Sequence, residues 1–164
     1  MRAGQSRTAG FKRHRITFLR KDQKRQQYMD GQVSLEDRAN RCFVCGPGNP
    51  IGLNVRFRLD DDVCRAEFTP KPEHMGYDSV THGGIVFSLL DDVMANWLWL
   101  KGEESFTARA DIRYRTALAV GTPVRLEGRV VKRKGRLVVL EGKLIRQEDD
   151  YVVAETTGHF MLAR

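Results

Sequence analysis

Residues 82–100 read HGGIVFSLLDDVMANWLWL, and this stretch decides the fold. Between Gly84 and Leu100 the apolar residues leave only Ser88, Asp92 and Asn96 as a polar line at four-residue spacing, with Asp91 at its edge. The spacing predicts a helix over 84–100 that is apolar nearly all round, and such a helix belongs inside a protein. Asp91, Asp92 and Asn96 argue against a membrane span, since an acid at a bilayer centre costs about 2.5 to 3.5 kcal/mol.

Working outward, Leu53, Val55, Phe57 and Leu59 alternate with Asn54, Arg56 and Arg58, the period-two pattern of a strand with one buried face. Asp60-Asp61-Asp62 supplies a turn, and Cys64, Ala66 and Phe68 alternate with Arg65 and Glu67 as a hairpin partner that Pro70 and Pro72 end. Downstream, strands are predicted over roughly 105–116, 123–132, 136–147 and 151–162, with turns at Lys134-Gly135 and Glu148-Asp149-Asp150. Two strands, one long helix and four strands make an α+β chain. Its antiparallel sheet of about six strands must wrap around the one central helix to cover both apolar surfaces.

A chain of 164 residues fits one domain with a core of its own. Its net charge of +7 suggests nucleic acid until it is divided by region. Residues 1–41 carry 11 Lys/Arg against 4 Asp/Glu, whereas residues 42–164 carry 17 of each. The division predicts a basic N-terminal extension, 1–41, ahead of a domain over 42–164. Met1 to Arg20 contains no acid, a composition shared by transit peptides, nucleic-acid arms and solvated tails, of which the solvated arm is the preferred reading. Lys21 to Met29 could form a short polar helix, and Ser34 followed by Asp37 could start another. Phe11, Phe18 and Tyr28 are too few for stacking along a single strand, so nucleic acid is not the expected partner. Three cysteines at irregular spacing point to reduced thiols and a cytoplasmic location. Cys42 and Cys45 lack a second Cys-x-x-Cys or a His pair, and Cys64 alternates inward. They are read as buried or turn-forming thiols, with no metal or cofactor expected.

His82-Gly83-Gly84 falls where the backbone N–H groups of a first helical turn lack partners. Glycines let a ligand approach, and the helix dipole favours an oxygen gaining negative charge, such as a thioester carbonyl under attack. A Gly-Gly pair before a helix is by itself commonly only a turn. Asp91 adds weight, because an acid on a buried helix is costly unless paired, solvated or used, and burial raises its pKa toward the range of a general base. An acid in that place can also cap a partner group at an interface. Asp92 fits the polar line and is expected to be solvated or paired, without a catalytic role. Lys132, Arg133, Lys134 and Arg136 cluster at a hairpin turn that is either a solvated charged loop or a phosphate contact, with Arg133 and Arg136 the preferred members.

The segment Cys42-Phe43-Val44-Cys45-Gly46-Pro47-Gly48-Asn49-Pro50-Ile51-Gly52-Leu53, then His82-Gly83-Gly84, then Leu90-Asp91, resembles the phenylacetic-acid-degradation (PaaI-like) type of hotdog-fold acyl-CoA thioesterase. The resemblance runs from about Arg41 to Arg164. It implies a hotdog fold and hydrolysis of an acyl-CoA or related thioester, without a cofactor, by a homodimer or dimer of dimers. It assigns carbonyl polarisation to the Gly83 N–H, the general base or nucleophile to Asp91, a water-holding hydroxyl to Thr107 and a loop-orienting role to His82. Gly84 would line the substrate and Arg133 and Arg136 the phosphates of coenzyme A. Trp97 and Trp99 could shorten the acyl tunnel. One departure stands out: many relatives have an Asn six residues before the His, and this chain has Gly76, with Asp78 and Ser79 as possible substitutes. An acyl-CoA-binding protein without hydrolysis is the alternative, and a dehydratase or an anionic-surface binder come behind it. His82 and Asp91 stand nine residues apart, about 13 Å along a helix, so the site is expected to be shared between two chains.

Overall fold

The computed structural model describes residues 39–164. The readings made for the arm and for helices over 21–29 and after Ser34 lie outside them. Alternation in the first apolar run survives in the burial, with Val55 inside and Asn54 and Arg56 outside, but ladder pairing begins only at β1 (Arg58–Asp60). Before it, Leu53 and Val55 donate their N–H groups to the carbonyls of Phe43 and Val44 at 2.8 and 2.9 Å. The preceding loop, not a second strand, satisfies that backbone. β2 (Val63–Phe68) follows, with Cys64 and Ala66 buried. After Pro70 comes a single 3-10 turn, Pro72–His74, and a short hairpin, β3 (Met75–Tyr77) and β4 (Val80–Thr81), that the sequence reading missed.

The helix α1 spans Gly83–Trp99. Then come β5 (Ser105–Tyr114), β6 (Val124–Lys134), β7 (Leu137–Arg146) and β8 (Val152–Leu162), close to the predicted limits. Six strands form one antiparallel sheet in the order β1-β2-β6-β7-β8-β5. Leu89, Leu90, Val93 and Met94 of α1 are fully buried in one core with Leu126, Leu140, Leu144 and Phe160 of the sheet. Each such side chain contributes about 1.5 to 3 kcal/mol by leaving water.

Two strand glycines set how closely the helix lies. A Cβ on Gly128 would stand 2.7 Å from the Val93 carbonyl oxygen, and one on Gly142 would stand 3.2 Å from that of Leu90. The two glycines face each other across β6 and β7, so helix backbone rests directly on strand backbone there. β5 lies at the open edge of the sheet, and Phe106 on it is 64% exposed. No helix among the described residues is long and apolar enough to cross a membrane.

Candidate active site

His82 leaves β4 in an extended conformation, φ −59° and ψ 131°, and caps α1. Its Nδ1 accepts the Gly84 N–H at 2.8 Å. In the neutral ring that bond places the remaining proton on Nε2. Gly84 therefore serves the imidazole, and a Cβ on it would stand 2.9 Å from Nδ1. The Gly83 N–H has no acceptor among the described residues. On its other side the Gly83 carbonyl accepts the Tyr114 hydroxyl at 2.9 Å. Tyr114 was not singled out from the sequence, because a contact between residues 31 apart has no local signature.

Around this helix start lies a cleft of about 500 Å³ lined by Gly76, Tyr77, Thr81, His82, Gly83 and Tyr114, with Val86, Leu118 and Val153 supplying apolar wall. The hydroxyl of Thr81 is buried there without a partner among the described residues. A Cβ on Gly76 would come within 3.1 Å of the His82 Cα and ring. The imidazole thus packs against the place where relatives of the resembled type carry a side chain. Asp78 and Ser79 form the β3–β4 turn, Ser79 at φ 62°, and neither lines the cleft.

Asp91 is half-buried two turns further along α1 and accepts the Thr107 hydroxyl at 2.8 Å. Burial raises its carboxyl pKa, and the Thr107 bond partly opposes that. Register between β5 and β8 shifts between Thr107 and Arg109. Such a bulge re-aims side chains where it occurs. Neither Asp91 nor Thr107 lines the cleft around Gly83. One chain brings His82, Gly83 and Gly84 together, and separately Asp91 and Thr107.

Asp92 is paired, as its place on the polar line suggested. Its carboxylate accepts Asn96 Nδ2 at 2.9 Å and the Cys42 thiol at 3.6 Å, and burial raises its pKa. Burial, followed by the nearby Asp92 charge, also pushes the Cys45 thiol far up and the Cys64 thiol up to about 12. Arg133 holds Glu103 through two bonds of 2.6 and 3.0 Å, and Arg136 donates twice to the Leu162 carbonyl at 2.8 and 3.0 Å. Both guanidinium groups are already engaged within the chain. Trp97 donates Nε1–H to the Asp62 carbonyl at 2.9 Å, which ties it to the β1–β2 turn.

Residues 78–153, which include the helix start, Asp91 and Thr107, match the family model of the thioesterase superfamily. No curated protein matches the chain. Several solved structures share its architecture. A conserved protein of Pseudomonas aeruginosa is 29% identical, with a TM-score of 0.60 over 68% of this chain and 90% of that one. A hypothetical thioesterase of Streptococcus pneumoniae, solved with coenzyme A, is 19% identical at a TM-score of 0.63, covering 67% of this chain and 89% of its own. The E. coli PaaI protein of the phenylacetic acid degradation operon is 18% identical at 0.64, with 68% and 81% covered. A helix wrapped by a six-stranded antiparallel sheet, as in these solved structures, gives the chain a hotdog fold, and its residues 78–153 are similar to the thioesterase superfamily.

Proposed function

We propose that the protein hydrolyses an acyl-CoA thioester to a free acid and coenzyme A at sites shared between two chains. The observation that carries this reading is the half-buried Asp91 carboxylate, held by one hydroxyl, on the same helix whose first N–H, at Gly83, is free in a cleft. An acid so placed suits proton transfer, and a free N–H at a helix start suits an oxyanion. In the proposed step Asp91 takes a proton from water as its oxygen attacks the carbonyl carbon. The carbonyl oxygen gains charge against Gly83 N–H. Collapse breaks the C–S bond, and the proton from Asp91 goes to the departing sulfur. The coenzyme A bound by the S. pneumoniae protein supports the substrate class.

His82 Nε2–H fits the role that an Asn side chain would otherwise fill, since the ring lines the cleft and its Nδ1 is committed to Gly84. Contact of the two chains through the exposed β5 edge would extend the sheet and cover Phe106. Arg133 and Arg136 remain candidates for coenzyme A phosphates if they exchange their present partners for them. A panel of acyl-CoAs followed with a thiol-reactive dye tests hydrolysis directly. Tight binding of acyl-CoA with no thiol released would establish the non-catalytic alternative, which the bare Gly76 favours.

Two smaller outcomes follow from this geometry. Thr107→Ala should lower kcat more than it raises KM, because the hydroxyl acts on the base. It should also move the acid limb of the pH profile upward, since the bond that lowers the Asp91 pKa is gone and burial remains. A change in KM alone would make Thr107 a pocket wall. Gly84→Ala would push a methyl group against His82 Nδ1 and should lower turnover about ten- to a hundredfold with the helix content unchanged. Circular dichroism beside initial rates checks both halves.

A further inference from the structure

The proposed chemistry makes no use of Cys42, Cys45 and Asp92. One ligand atom of each lies within 4.8 Å of the other two, and all three residues are partly buried. The thiols come from a tight loop. Gly46 N–H donates to the Cys42 carbonyl at 3.0 Å, and a Cβ on Gly46 would stand 2.4 Å from Cys42 N and 2.6 Å from its carbonyl oxygen. Only glycine permits this closure, which turns both sulfurs of Cys-x-x-Cys-Gly toward the back of α1. Asp92 meets them from the helix, with Oδ1 at 3.6 Å from Cys42 Sγ. Zinc–sulfur and zinc–oxygen bonds of ordinary length at a tetrahedral angle put sulfur and oxygen about 3.6 Å apart.

The carboxylate also lacks adequate compensation. Asn96 donates to it at 2.9 Å, the Cys42 and Cys45 thiols that also act on it are weak donors, and none of the groups around it is basic. Burying an acid on those terms is costly, and a divalent cation would offset that cost. We propose that Cys42, Cys45 and Asp92 bind one zinc ion, with water in the fourth position, pinning the loop over 42–52 to the central helix. Two thiolates and one carboxylate suit a borderline-soft metal without a strong geometric preference. Sequence spacing did not reveal this because the third ligand is 47 residues beyond Cys45 and belongs to the polar line of the helix. The site lies apart from the cleft around Gly83, none of its residues lining that cleft.

The test uses the full chain, reduced and stripped with a chelator, then given one equivalent of zinc and passed over a desalting column. Elemental analysis should return one zinc per chain for the wild type and for Cys64→Ser. Cys45→Ser and Asp92→Asn should bind at least tenfold more weakly in competition with a colorimetric chelator. Cobalt in place of zinc should give thiolate-to-metal charge-transfer absorption with the strong visible bands of a four-coordinate ion, the charge-transfer intensity falling by about half in Cys45→Ser. The wild-type spectrum decides by itself whether thiolates ligate the metal, so poor folding of a variant cannot hide the answer. Absence of retained zinc, cobalt spectra without thiolate absorption, or zinc lost from Cys64→Ser while Asp92→Asn keeps it would each overturn the assignment. A Cys42–Cys45 disulfide forming under zinc-saturated conditions would do the same.

Discussion

Asp91→Asn is expected to lower turnover at least a hundredfold while leaving the fold intact, since a general base commonly contributes about 10² to 10⁴. Asparagine keeps an oxygen to accept the Thr107 hydroxyl, so the partner seen at 2.8 Å is not orphaned. The change should also stabilise the protein at neutral pH. Burial raises the Asp91 pKa above its ordinary 3.8, so the folded state holds this proton more tightly than the unfolded chain. The favourable contribution of the protonated acid is complete below the unfolded pKa and is lost as pH rises through the folded one. The thermal midpoint of Asp91→Asn should therefore exceed that of the wild type at pH 7, the difference disappearing below about pH 3.8. A variant that stays active and gains no stability would remove Asp91 from the mechanism. Thiol release and a melting series in acid and neutral buffers check the two halves separately.

The second large effect concerns the partition of the site. Asp91 and Thr107 do not line the cleft that holds Gly83, and eight residues of helix separate Gly83 from Asp91, about 12 Å of rise. A two-fold axis would bring Asp91 of one chain to Gly83 of its partner. Gly83→Pro removes the free N–H at the first helical position, where proline is tolerated, and the extended His82 suits a following proline. A Cβ on Gly83 would meet Tyr114 only at 3.6 Å or more, ordinary contact. Gly83→Pro and Asp91→Asn should each be inactive alone. Co-refolded one to one, they should recover roughly a quarter of wild-type activity, since half the dimers are mixed and each has one intact site. No recovery with mixed dimers present would place the whole site within one chain.

The alternation at Leu53–Leu59 and Cys64–Phe68, the apolar run after His82 and the four later strands carry period and punctuation within short windows. They were legible for that reason, and an antiparallel sheet wrapped over a buried helix followed from covering their apolar faces, whereas the order of strands in the sheet came only from the fold. The helix-start glycines and the acid on the helix were legible as well, from local rules on orphan N–H groups and buried charge. Contacts between residues far apart in sequence were not. Thr107 meets Asp91 across 16 residues, Tyr114 meets Gly83 across 31, and Cys42 meets Asp92 across 50. Each depends on where the sheet carries a side chain, including the bulge beside Thr107, and on strand glycines that let α1 lie against β6 and β7. Gly84 illustrates the same division. The sequence alone determined that a side chain was absent at the helix start, and packing decided that the space belongs to the His82 imidazole, because only the folded chain sets the distance between them.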